Sequence, residues 1–187
     1  RDHRARTPKF GEIAQEFVGF LANEPQALRE GSWPAFMVEL AHYEWVEMAL
    51  QQSDAEPLPA SNAGELLDRP VRVSPLAWPL AYAWPVQQVG PDYQPEAPPV
   101  QPTLLLVRRS ADWRVNFSEL SPLAWRLLQR IDEFPQLAGR AQLDGLALEA
   151  GAAGSVQFTA SGLTLLQQMH SEGVIGVVDR VTTPARD

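Results

Sequence analysis

Glu39-Leu40-Ala41-His42 sets a carboxylate and an imidazole three residues apart, which puts both on one face of a helix. Di-iron bundles use that spacing, but they use two copies of it and two further glutamates. The chain has three histidines and one copy of the motif. The simpler expectation is a polar helix face carrying Glu39, His42 and Glu47. His3 and His170 have no partner at ligand spacing, so no metal site and no cofactor is expected. With no cysteine, thiolate metal sites, disulfides and a cysteine nucleophile are excluded. No phosphate-binding loop, dinucleotide glycine fingerprint, Gly-x-Ser-x-Gly elbow or HExxH is present. Asn116-Phe117-Ser118 matches a glycosylation sequon but falls in an expected strand, and Asp132-Glu133 sits at an expected helix end. Nothing here assembles into a catalytic set, so the chain is not expected to be an enzyme.

The elements that position these residues follow from periodicity and proline. The 187 residues are 45% hydrophobic and 20% charged, with a net charge of −8, the composition of an ordinary soluble fold. No apolar run reaches the roughly 18 to 20 residues of a membrane span, and no signal peptide opens the chain, so a cytoplasmic protein is expected. Eleven of the 17 prolines fall between Pro57 and Pro102, which makes about a quarter of that stretch proline against a usual ~5%. The expected division is therefore a helical part at 1–56, a proline-rich connector at 57–102, a mixed module at 103–180 and a tail at 181–187.

In the first part, Thr7-Pro8 precedes a helical stripe of Phe10, Ile13, Phe17, Phe20 and Leu21. Ser32 and Pro34 open a second helix with Phe36, Met37, Leu40, Tyr43 and Leu50 along one side. Two helices bury two apolar stripes poorly, so this part is expected to be the end of a helical domain that begins before Arg1, or to dock on the rest of the chain. Within the connector, Val71–Val73 and Trp84–Val89 are expected as short edge strands, with 74–80 too interrupted for a long helix.

From Thr103 the pattern changes. Thr103–Arg108 reads as a buried strand, Ser110-Ala111-Asp112 as a turn, and Trp113–Phe117 as the returning strand. Ser121-Pro122 starts a helix with Leu123, Ala124, Leu127, Leu128 and Ile131 inside; a second spans about 140–150. Thr159 or Ser161 opens a third, Gly173 ends it, and Val174–Val178 closes as a strand. The expected class is α+β, with a winged-helix-like module built from a β-hairpin, three helices and a small strand.

Such a module binds either DNA or peptide. The expected recognition helix, 161–172, has no arginine or lysine, a poor start for phosphate contact. The DNA reading rests instead on Arg108 and Arg109 beside the hairpin turn and on Arg126 and Arg130, one turn apart. The peptide reading uses the free edge of the hairpin, where an extended segment adds a strand. Its candidate residues are Trp113, Val115 and Phe117 on the edge and Leu163, Leu166, Gln167 and His170 along a neighbouring groove.

The run Thr7–Phe17, followed by Trp33-Pro34 and Glu39–Trp45, resembles the HvfC-type family. The stretch from Pro85-Val86 through Asp92–Pro95 and Leu104–Arg108 continues that resemblance over most of the chain. The 104–178 region is also similar in plan to PqqD-like leader-recognition domains, with Val115-Asn116-Phe117 before a helix and Glu172–Ile175 at its close. Members of the first family have been labelled DNA-binding. They also resemble partner subunits of multinuclear iron oxidative enzymes that modify ribosomally made peptides. The resemblance thus implies a non-catalytic adaptor that binds a precursor peptide and an iron-dependent enzyme, the iron belonging to that partner. It also implies a further helical region before Arg1. A transcriptional regulator acting on DNA is the alternative.

Overall fold

The computed structural model describes residues 33–178, together with 16, 18 and 19. The expected Phe10–Leu21 helix stripe and the 181–187 tail lie outside the described residues, apart from those three isolated positions. The elements in order are α1 (Met37–Gln51), β1 (Val71–Val73), β2 (Ala77–Tyr82), β3 (Thr103–Arg109), β4 (Val115–Glu119), α2 (Pro122–Glu133), α3 (Gly139–Glu149), α4 (Val156–Ser171) and β5 (Ile175–Val177). The class is α+β, as the alternating patterns imply. Two compact units result: residues up to Asp54 with Leu80–Glu119, and Ala55–Pro79 with Leu120 onward. The breaks between them fall after Asp54, Pro79 and Glu119.

The first unit packs α1 on a sheet of order β2-β3-β4. Its core is Phe36, Tyr82, Trp84, Val86 and Leu105, with Leu40 and Tyr43 of α1 packed against it. Phe36 meets Trp84 edge-on at 5.9 Å between ring centroids, a favoured aromatic geometry. Strand β2 crosses the stretch that is too interrupted for a long helix. Pro79 is tolerated there because β2 lies at the sheet's edge, where one row of backbone groups needs no partner strand. The strand expected at Trp84–Val89 is instead a single 3-10 turn at Val86–Gln88, entered through Pro85.

The hairpin departs from expectation at one residue. Ser110 N–H donates to the Arg114 carbonyl (2.9 Å) and Trp113 N–H to the Ser110 carbonyl (2.9 Å). Trp113 has φ 66°, so a tight turn ends in a bulge whose left-handed position is filled by tryptophan where glycine is usual. Trp113 therefore belongs to the turn, and the strand starts two residues later at Val115.

In the second unit Ser121 caps α2 by accepting from Ala124 N–H (3.2 Å), with Pro122 in the first turn. Ala124, Leu127, Leu128 and Ile131 then fall on one buried stripe. Helix α4 starts earlier than Thr159 or Ser161 would allow, because Ser155 takes the cap by accepting from Phe158 N–H (3.2 Å). Gly173, at φ 72°, ends it as expected, and Val174 N–H returns to the Met169 carbonyl (2.8 Å). Strand β5 pairs antiparallel with β1, Val73 opposite Ile175 and Val71 opposite Val177. The three helices of the expected module therefore share a unit with a strand from the connector, while the expected wing, β3–β4, belongs to the first unit.

Candidate functional site

Strand β4 pairs with β3 and with no other strand among the described residues. The register sets Arg109 opposite Val115, Arg108 opposite Asn116 and Val107 opposite Phe117. Since Ser110 and Arg114 form a hydrogen-bonded pair, the bonded pairs continue at 108 with 116 and at 106 with 118. Val115, Phe117 and Glu119 consequently direct their backbone N–H and C=O groups away from β3, toward the open edge. Phe117 at the same time rests its ring against Tyr43 of α1, 4.9 Å between centroids. The edge thus has no partner strand among the described residues and is held from behind by a helix.

Of the residues expected to bind peptide, Trp113, Val115 and Phe117 lie at this edge or its turn. The other four lie in the second unit, so no single unit brings the two groups together. Leu166 is 0% exposed and belongs to the core, which removes it from any ligand surface. His170 is half-buried, with its Nε2 2.9 Å from Ser61 Oγ, which also accepts from Val177 N–H (3.1 Å). Gln167 is exposed. Leu163 lines an apolar groove of about 540 Å³ between α3 and α4, with Leu148 and Val156 at its rim.

The four arginines of the DNA reading are committed inside the protein. Arg109 is buried; its Nη1 donates to the carbonyls of Leu50 (3.1 Å), Gln51 (3.1 Å) and Ser53 (2.7 Å), where α1 ends. Arg130 is buried and donates to Glu149 and, through Nε, to the Gln142 carbonyl (3.3 Å). Arg126 bridges Glu133 (2.8 Å) and Glu149 (2.6 Å). Arg108 is half-buried and also has an interaction within the protein. Sequence spacing offers these cations to phosphate, and the fold gives them carboxylates and helix ends instead.

The arginine pair also fixes an acid response. Hydrogen bonds from Arg126, reinforced by Arg130, hold the Glu149 carboxyl down to about 2, against an ordinary 4.5. A depressed carboxylate stabilises the fold above its unfolded value and loses that contribution as pH falls through the folded one. Glu149→Gln is therefore expected to flatten stability against pH between about 4.5 and 2, measured as urea midpoints. An unchanged slope there would dismiss the coupling.

Glu39 and His42 prove to be structural, not a solvated face. The Glu39 carboxylate accepts from Ala83 N–H (3.1 Å) and Trp84 N–H (2.9 Å), and His42 Nδ1 lies 2.9 Å from the Tyr82 hydroxyl. Burial lowers the His42 pKa despite the opposing charge of Glu39, and burial likewise raises that of Tyr82. No group of three His, Cys, Asp or Glu residues able to hold a metal occurs among the described residues. None of their helices is long and apolar enough to cross a membrane.

These features define an α+β protein whose β4 edge has no partner strand among the described residues. Residues 74–170, just over half of the chain, match the family model of the HvfC C-terminal domain. The chain belongs to the HvfC family, and the matched stretch takes in the hairpin and extends through α4. No curated protein sequence matches it.

Proposed function

We propose that this chain is a non-catalytic partner subunit that binds a ribosomally made precursor peptide and presents it to a multinuclear iron-dependent modifying enzyme. Family membership supports the partner role. The observation that carries the peptide-binding part is the β4 edge, whose outward groups at Val115, Phe117 and Glu119 offer a ladder to an extended segment. Strand addition supplies main-chain hydrogen bonds independent of side-chain identity. An adaptor can therefore hold a leader without a large pocket. The DNA reading draws no support from the arginines at 109, 126 and 130, since freeing any of them breaks internal bonds.

Co-expression with a multinuclear iron-dependent peptide-modifying enzyme, and purification through a tag on this chain, is expected to yield an iron-bearing complex. The edge is tested by Val115→Pro. That substitution removes an outward donor and leaves the ladder bonds of 114, 116 and 118 to β3 in place. Affinity for the leader peptide is expected to fall by about tenfold or more, with the circular dichroism spectrum retained. Undiminished binding by a folded variant would remove β4 from the proposal. Salt-sensitive retention on duplex DNA, with no enzyme association, would favour the regulator instead.

A further inference from the structure

We infer that the β3–β4 hairpin tip, through Trp113 and Arg114, is an anchor that inserts into an apolar, acid-rimmed pocket on the folded iron-dependent enzyme. This inference rests on the partner-subunit reading above. Trp113 is the one non-glycine residue with positive φ among the described residues. A large side chain disfavours that conformation, which glycine adopts at no steric cost. Trp113 is moreover 65% exposed, so burial within its own fold does not offset its backbone strain. Strain kept where a glycine would relieve it marks a position held for a contact outside the chain.

The tip is also braced. The Arg109 guanidinium lies 4.4 Å from the centroid of the Trp113 ring, and Arg109 is itself fixed by three carbonyls at the end of α1. Ser110 Oγ bonds Asp112 (2.5 Å) and receives Asn116 Nδ2 (3.3 Å), which closes the turn from within. One face of the indole is therefore held by a cation and the other is presented to solvent in a set orientation. An aromatic anchor with so little freedom left to lose is the type that dominates interface energetics.

Two features select the partner. A convex, rigid tip requires a concave receptor, which a folded protein provides and a short extended peptide does not. Charge selects the rim: Arg108 and Arg109 are engaged within the protein, so Arg114 is the cation that the tip presents, in a chain of net charge −8. Arg114 is 80% exposed, with Asp112 as its partner at 3.2 Å. A cationic tip on an acidic body orients toward acidic surface, and its surroundings repel the same surface elsewhere.

The test measures affinity of the full chain for the purified iron-loaded enzyme at low and high salt. Trp113→Gly is expected to weaken binding by about thirtyfold or more, with a thermal midpoint at or above that of the unaltered chain. Arg114→Glu, on an exposed side chain, is expected to weaken binding by about tenfold at low salt, with a smaller difference at high salt. Full affinity in the glycine variant overturns the anchor, and full affinity in the glutamate variant overturns the acidic rim. If the unaltered chain does not bind the enzyme, the partner-subunit reading falls and takes this inference with it. If it binds and both variants bind equally, the inference alone is lost.

Discussion

Gly139→Ala is expected to destabilise the protein by about 3 kcal/mol, the magnitude of a severe overpacking, read as a lower urea midpoint at an unchanged slope. A β-carbon at that position would stand 2.2 Å from the Leu66 carbonyl oxygen and 3.3 Å from Leu166 Cδ1. Neither neighbour is free to retreat. Leu66 and Leu166 are both fully buried, and the Leu66 carbonyl accepts the Gly139 N–H at 3.1 Å. Arg140 N–H binds the Leu67 carbonyl at 3.1 Å, so the chain at 66–69 satisfies the first amides of α3 in place of a side-chain cap. An alanine must therefore push apart the hydrogen bonds that start the helix. Gly176→Ala provides the contrast: the nearest atoms to its β-carbon would be those of the Leu58 side chain, at 3.0 Å and beyond, and the change is expected to cost less than about 1 kcal/mol. Equal costs at the two positions would show that backbone proximity is not the deciding factor.

Elements announced by local chemistry were legible in the sequence. Ser121-Pro122 marks the start of α2, the apolar run at Thr103–Arg108 marks β3, and Gly173 marks the end of α4. Each signal lies within a few residues of the feature it sets. Partnerships between distant residues were not legible. Nothing in Val71–Val73 specifies pairing with Ile175–Val177, about a hundred residues away, and that pairing places the helices in a unit without the hairpin. Pro79 disguised β2, because proline argues against a strand until the strand is known to lie at an edge. The candidate site divides in the same way. Alternation identified the β4 edge, but an apolar residue at helical spacing is written identically for a groove and for a core, so Leu166 was indistinguishable from a ligand contact. Glu39 looked like a solvated charge because the amides it holds, at Ala83 and Trp84, are more than forty residues away. Trp113 evaded the turn rules altogether, since those rules look for glycine or asparagine at positive φ.

Arg109→Leu is expected to cost about 3 kcal/mol and, alone among the arginine substitutions, to impair the hairpin tip and the end of α1 together. The last carbonyls of a helix have no partner within it and carry the negative end of its dipole. In α1 those of Leu50 and Gln51, with that of Ser53 beyond, converge on one guanidinium nitrogen. Charge-assisted bonds of this type contribute about 1.5 to 3 kcal/mol each, but three that share one nitrogen do not add in full. Leucine offers no donor to these three carbonyls, so the loss exceeds that of the cation–π contact with Trp113, about 1 kcal/mol. Arg109→Lys separates the two roles. An ammonium still meets the carbonyls and the dipole but does not lie flat on an indole, so most of the stability is expected to return while the tip is left unbraced. A cycle of Arg109→Lys with Trp113→Gly measures the brace: a coupling near 1 kcal/mol places it in the Arg109–Trp113 stack, and a coupling of zero means that the turn holds Trp113 by its backbone alone.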